Sequence, residues 1–157
     1  MARFSEDFLS NMFGNIVQNE VNLRSHHIGV AVFAIEDAVP FYLAQGYRKL
    51  IRVYDPAQNV EVCVLSHETF PMIELLSPHN SKSPINNILD KVGASPYHIC
   101  YIVQDLAESV QAMKGNGFML VTKPKASNAF GDRKVCFLIN RKIGLVELME
   151  EISHESV

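Results

Sequence analysis

Several classes of protein are set aside by what this chain lacks. Its three cysteines, Cys63, Cys100 and Cys136, sit inside apolar runs with no CxxC spacing. That leaves no disulfide framework and reads as buried free thiols in a reducing compartment. Positive charge is not in excess: Lys and Arg total 14 against 17 Asp and Glu, for a net charge of −3. There is thus no electrostatic case for a nucleic-acid partner. No apolar run approaches the roughly 20 residues that span a bilayer. Glu6 and Asp7 interrupt the start of the chain, where a secretory signal needs an unbroken apolar stretch. A cytoplasmic protein with neither membrane nor nucleic acid as partner is the expectation. Hydrophobic residues make up 48% of the 157 positions, enough for a packed interior without staples.

What is present is a repeat. Sliding the sequence onto itself by 71 positions lays His27-Ile28-Gly29-Val30-Ala31-Val32 on His98-Ile99-Cys100-Tyr101-Ile102-Val103, Gly46 on Gly117 and Tyr47 on Phe118. A shift of 73 lays Glu61-Val62-Cys63-Val64-Leu65 on Lys134-Val135-Cys136-Phe137-Leu138, and Ile73-Glu74-Leu75 on Val146-Glu147-Leu148. Each copy supplies a His at the start of one strand and a Glu inside another.

The hydrophobic periods divide the chain accordingly. Residues 1–22 carry Phe4, Phe8, Leu9, Met12, Phe13, Ile16 and Val17 at three-to-four spacing, an amphipathic helix weakened at Gly14. Its stripe is suited to docking on the body of the protein, to a dimer contact or to a partner. Module one spans 25–78: a strand at 27–32, a helix from Glu36 to about Gln45 stopped by Gly46, and strands near 47–54, 60–66 and 70–76. A linker, 79–95, holds a short helix after Ser83-Pro84. Module two, 96–150, repeats the order with a strand at 97–103, a helix at 105–115 N-capped by Asp105, and strands near 118–122, 133–139 and 144–149. The fold class is α+β, with two βαβββ modules forming a curved mixed sheet around a metal-binding cavity.

Strand alternation lets His27, Glu74, His98 and Glu147 face one concave surface while Ile28 and Ile73 face the helices. Glu74 and Glu147 each interrupt an apolar strand, and an inward carboxylate is costly unless a cation or strong donors meet it. Two carboxylates and two neutral imidazoles balance a divalent ion, and mixed nitrogen and oxygen donors suit Zn, Co, Ni or Mn. His26, His67, His79 and His154 have no such counterparts and read as surface residues.

These motifs resemble the vicinal oxygen chelate (glyoxalase/bleomycin resistance) superfamily over about residues 25–150. Within it the pattern is most similar to methylmalonyl-CoA epimerases, through His27 to Val32 with Phe41-Tyr42 and Gly46, Ile73 to Pro78 with Ser83-Pro84-Ile85, Tyr97 to Tyr101, and Leu145 to Leu148. The resemblance implies a divalent ion held by His27, Glu74, His98 and Glu147. It also implies an isomerase or epimerase taking a proton next to a thioester or oxo group, with Glu61 as one acid/base group and Glu147 as the opposing one. Glu61 has Lys134 as its repeat counterpart, consistent with a task performed once per site.

The segment from Lys125 to Arg133 departs from the epimerase pattern, so Phe130 and Arg133 are expected to shape the substrate end of the cavity. A CoA substrate needs cations for its phosphates, and Lys123, Lys125, Arg133, Lys134, Arg141 and Lys142 cluster in module two. A glyoxalase-type lyase uses the same ligand set, and a non-catalytic small-molecule-binding protein uses the same scaffold. Paired modules and the N-terminal stripe favour a homodimer.

Overall fold

The computed structural model describes residues 20–152. Most of the expected N-terminal helix lies outside them. Module one comprises β1 (Arg24–Ala31), α1 (Ile35–Ala44), β2 (Arg48–Asp55), β3 (Val60–Ser66) and β4 (Met72–Pro78). The linker forms α2 (Asn86–Val92). Module two follows with β5 (Ser95–Val103), α3 (Leu106–Gly115), β6 (Met119–Leu120), β7 (Lys125–Ser127), a 3-10 turn (Asn128–Phe130), β8 (Arg133–Asn140) and β9 (Gly144–Glu150).

All the strands join one sheet in the order β2-β3-β4-β1-β5-β9-β8-β6, with β7 also on β8. Read outward from the antiparallel seam between β1 and β5, the two halves have the same order. The parallel pairs share their register too: Gly29 lies opposite Glu74 in β1–β4, and Cys100 lies opposite Glu147 in β5–β9. The expected α+β mixed sheet of two modules is observed, with both modules in one chain.

Module two departs from a plain βαβββ unit. Where one strand near 118–122 is expected, two short strands, β6 and β7, flank Thr122-Lys123-Pro124 and pair different ends of β8. Pro124 has no N–H to give the ladder and constrains Lys123 before it, so a continuous strand cannot form there.

Apolar residues sort by strand parity. On the outer face, Cys63, Leu65, Ile73 and Leu75 pack with Ile35 and Val39 of α1, while Cys136, Leu138, Val146 and Leu148 pack with Leu106, Val110 and Met113 of α3. The inner face of module one carries Val60, Val62, Val64 and Leu76 against Ile85 and Leu89 of the linker. The sheet curls into a cup that module two closes. Lys125 Nζ donates to the Ala57 carbonyl at 2.7 Å, and the Asn128 amide reaches the Tyr54 carbonyl.

One close approach fixes the seam. Gly29 faces His98 across it, and a Cβ on Gly29 would lie 2.0–2.5 Å from the imidazole atoms. Only a residue without a side chain lets this ring fold over β1. A Gly29→Ala variant should lose about 1–3 kcal/mol of stability by overpacking, read as a lower urea midpoint. An unchanged midpoint would mean that His98 does not rest on this strand.

Candidate metal centre

The inner strands deliver His27, Glu74, His98 and Glu147 to one point, and all four are buried at 0, 4, 3 and 2% exposure. His27 Nε2 lies 3.2 Å from the Oε2 atoms of both Glu74 and Glu147, and 3.3 Å from His98 Nε2. His98 Nε2 lies 3.5 Å from Glu74 Oε2 and 3.4 Å from Glu147 Oε2. A tetrahedron with donors about 2.0–2.1 Å from its centre has edges of about 3.3–3.4 Å. Five edges of the observed group fall around that value.

Hydrogen bonding alone is a poor account of the arrangement. With both imidazoles protonated their Nε2–H groups would face each other at 3.3 Å, and with one protonated a single Nε2–H would stand between two carboxylates and a second imidazole. Two nitrogens and two carboxylate oxygens suit a borderline divalent ion. The residues present therefore fit one.

The charges are matched even before an ion enters. Burial disfavours the imidazolium forms, yet the flanking carboxylates raise both histidines, His27 to about 12. Burial equally disfavours the carboxylates, and the adjoining imidazoles hold Glu74 and Glu147 below the usual range. The aromatic walls complete the shell. Phe130 stacks on His27 at 4.9 Å, and Phe137 and Tyr97 pack edge-on against His98 at 5.2 and 4.5 Å.

Beside this group lies a cavity of about 400 Å³, lined by Val60, Ile85, Ile88, Tyr97, Val121, Phe137 and Leu145, with Gln58, Thr122 and Lys125 as polar neighbours. Tyr97 and Phe137 stand between the cavity and His98.

The other candidate residues fall in different places. Phe130 covers His27, and Arg133 is half-buried on the inner face with its Nε donating to the Glu150 carbonyl at 2.8 Å. Lys134 alternates to the outer face, where it is exposed and 3.7 Å from Glu150. Glu61 shares the outer face with Cys63, and its Oε1 lies 2.8 Å from His79 Nδ1. The structure does not bring it to the four donors. Val62, its neighbour, occupies the inner face.

His26 is the residue the repeat comparison missed. It is half-buried rather than on the surface, with Nδ1 2.8 Å from His27 Nδ1 and its ring 5.1 Å from Phe130. Burial, with its neighbours His27 and Arg133, lowers it to about 4, so this ring is neutral near pH 7. Its adjacency to His27 was the available signal. Of the other two described histidines expected at the surface, His67 is half-buried, accepting from the Thr69 and Phe70 backbone, while His79 is exposed.

Known proteins repeat this architecture. A family model described as the glyoxalase/bleomycin resistance protein/dioxygenase superfamily matches residues 26–137. The uncharacterized protein YqjC of Bacillus subtilis (strain 168) is 32% identical over 130 residues, which is 81% of this chain and 91% of that one. The crystal structure of hypothetical protein BH1468 from Bacillus halodurans C-125 superposes with a TM-score of 0.76 at 29% identity, covering 87% of this chain and 99% of the other. A Streptomyces coelicolor methylmalonyl-CoA epimerase variant in complex with 2-nitronate-propionyl-CoA gives 0.72 at 21% identity, covering 85% and 100%.

Ion binding must displace imidazolium protons, and this sets its pH dependence. The raised imidazoles stabilise the ion-free protein fully below their ordinary 6.5, and this contribution fades as pH rises toward 12 for His27. The depressed carboxyls stabilise it above their ordinary 4.5, and this is lost in acid. Ion-free stability should therefore peak between about pH 4.5 and 6.5. Zinc affinity should rise from pH 6 to 8, by about tenfold per pH unit for each proton released. Calorimetry in buffers of different ionisation enthalpy reads the released protons, and a pH-independent affinity would contradict the assignment.

Proposed function

This chain belongs to the glyoxalase/bleomycin resistance protein/dioxygenase superfamily, and on that premise we propose that it is a divalent-metal-dependent isomerase. It acts by proton abstraction next to a thioester or oxo carbonyl, as an epimerase of a carboxyacyl-CoA or a similar small molecule would. One observation carries the reading: four buried donors at tetrahedral spacing, set beside an apolar cavity.

His27, Glu74, His98 and Glu147 would hold Zn, Co, Ni or Mn. The bound ion supplies Lewis acidity toward a carbonyl oxygen. The chain's own residues do the rest. The apolar wall from Val60, Ile85, Ile88, Phe137 and Leu145 excludes water from the reacting carbon. Glu147 is the carboxylate we assign to proton transfer, with one oxygen toward the ion and the other left for the proton. A CoA-borne substrate would meet Lys125 at the cavity, with the exposed Lys123 nearby. Arg133 and Phe130 would shape the opposite end, by His26 and His27.

Glu61 favours a second reading. Epimerisation calls for acid/base groups on opposite faces of the carbon, and Glu61 stands outside the cup beside His79. A glyoxalase-type lyase working through Glu147 alone needs no second carboxylate.

The assembly we propose is a cytoplasmic homodimer. Phe33, Phe41, Leu50 and Phe70 are more than half exposed, and an apolar surface of that kind suits a second copy.

Metal-loaded protein incubated with methylmalonyl-CoA in D₂O should introduce deuterium at the α-carbon, and His98→Ala should reduce the rate at least about 100-fold. Absence of exchange by protein that retains its ion would exclude the epimerase and favour the one-base lyase. The lyase is tested in turn on the glutathione hemithioacetal of an oxo-aldehyde.

A further inference from the structure

We propose that His26 is a positioning residue for the metal centre: its Nδ1 accepts the Nδ1–H of His27 and so turns the lone pair of His27 Nε2 toward the ion. The inference rests on the metal-centre reading above but concerns a residue outside the four donors.

Backbone geometry supplies the first observation. The β1–β5 pairing slips between Ser25 and His27, and again between Gly29 and Val30, leaving His26 and Tyr97 as the extra residues. Each stands immediately before a ligand histidine, at equivalent places in the repeat. Such bulges break strand alternation and re-aim a side chain. At His26 the bulge brings the imidazole back against its own neighbour, half-buried beneath Phe130.

Proton placement supplies the second. The two Nδ1 atoms are 2.8 Å apart, so one donates and the other accepts. If His26 were the donor, neutral His27 would carry its proton on Nε2, the atom that faces Glu74, Glu147 and His98. Such a tautomer cannot ligate through Nε2. The reverse direction leaves Nε2 free, fixes the ring plane and raises the basicity of the ligand.

The repeat itself provides the contrast. Tyr97 occupies the place of His26 but meets His98 edge-on, and His98 Nδ1 has no hydrogen-bond partner among the described residues. The two imidazole ligands are thus unequal: His27 is held by a hydrogen bond at its outer nitrogen, and His98 by packing alone.

The experiment pairs zinc titration with nitrogen NMR on the full chain. His26→Ala should weaken zinc binding about 10–100-fold. His26→Asn should restore most of the affinity, since its side-chain carbonyl can accept from His27. His26→Leu should not, and Tyr97→Phe should stay within about twofold of the wild type because no outer-nitrogen bond is lost there. A through-hydrogen-bond coupling between the Nδ1 nuclei of His26 and His27 should be visible with or without zinc, and absent in His26→Leu. Wild-type affinity in His26→Ala, or no coupling in wild-type protein, would overturn the role of His26 while leaving the metal centre intact. Failure of the wild type to bind zinc would instead sink the metal reading, and the coupling would still decide the hydrogen bond. Uptake of two zinc ions, one of them lost in Cys100→Ser, would make His26 a ligand with His27 and Cys100 and overturn the proposal.

Discussion

Two carboxylates and two imidazoles in a dry interior impose one requirement: their charges must cancel at the place where they meet. Isolated, each buried carboxylate would be expensive. Together, with two protonated imidazoles or with a divalent ion, they are neutral. The fold is arranged around that meeting point. Parallel pairs β1–β4 and β5–β9 carry their ligands in matching register, and the antiparallel seam sets one pair against the other. Donor distances of 3.2–3.5 Å follow from this arrangement without a contribution from any loop.

The seam also shows how an internal repeat yields an asymmetric site. Gly29 and Cys100 are equivalent positions, yet Gly29 leaves room for the His98 ring while Cys100 places a buried thiol by His27. His26 and Tyr97 are equivalent too, and only the histidine forms a hydrogen bond with the ligand that follows it. Substrates have a front and a back, so a site that handles them gains from such differences. The cavity lies on the Tyr97 side, and Phe130 closes the His27 side.

Much of this was legible in the sequence because duplication doubled every signal. His27 and His98 would each read as an ordinary strand histidine, but their recurrence with Glu74 and Glu147 singled out four residues that the structure groups together. The change of shift from 71 to 73 marks two extra residues in module two. They fall in the stretch holding β6, β7 and the 3-10 turn, where Pro124 splits the strand and Phe130 reaches His27. Parity was harder to read. Glu61 sits one residue from the inward Val62, and a one-residue difference in a strand changes the face. His26 escaped because a bulge, invisible to alternation, turned it inward. The long-range meeting of Lys125 with Ala57 has no local sequence signal at all.

Anomalous X-ray diffraction from zinc- or cobalt-reconstituted protein would locate the ion that these four side chains are held to share. One anomalous peak per chain is expected, with His27 Nε2, His98 Nε2 and one oxygen each from Glu74 and Glu147 at about 2.0–2.2 Å. A peak elsewhere, or none between these four side chains after reconstitution, would contradict a shared ion.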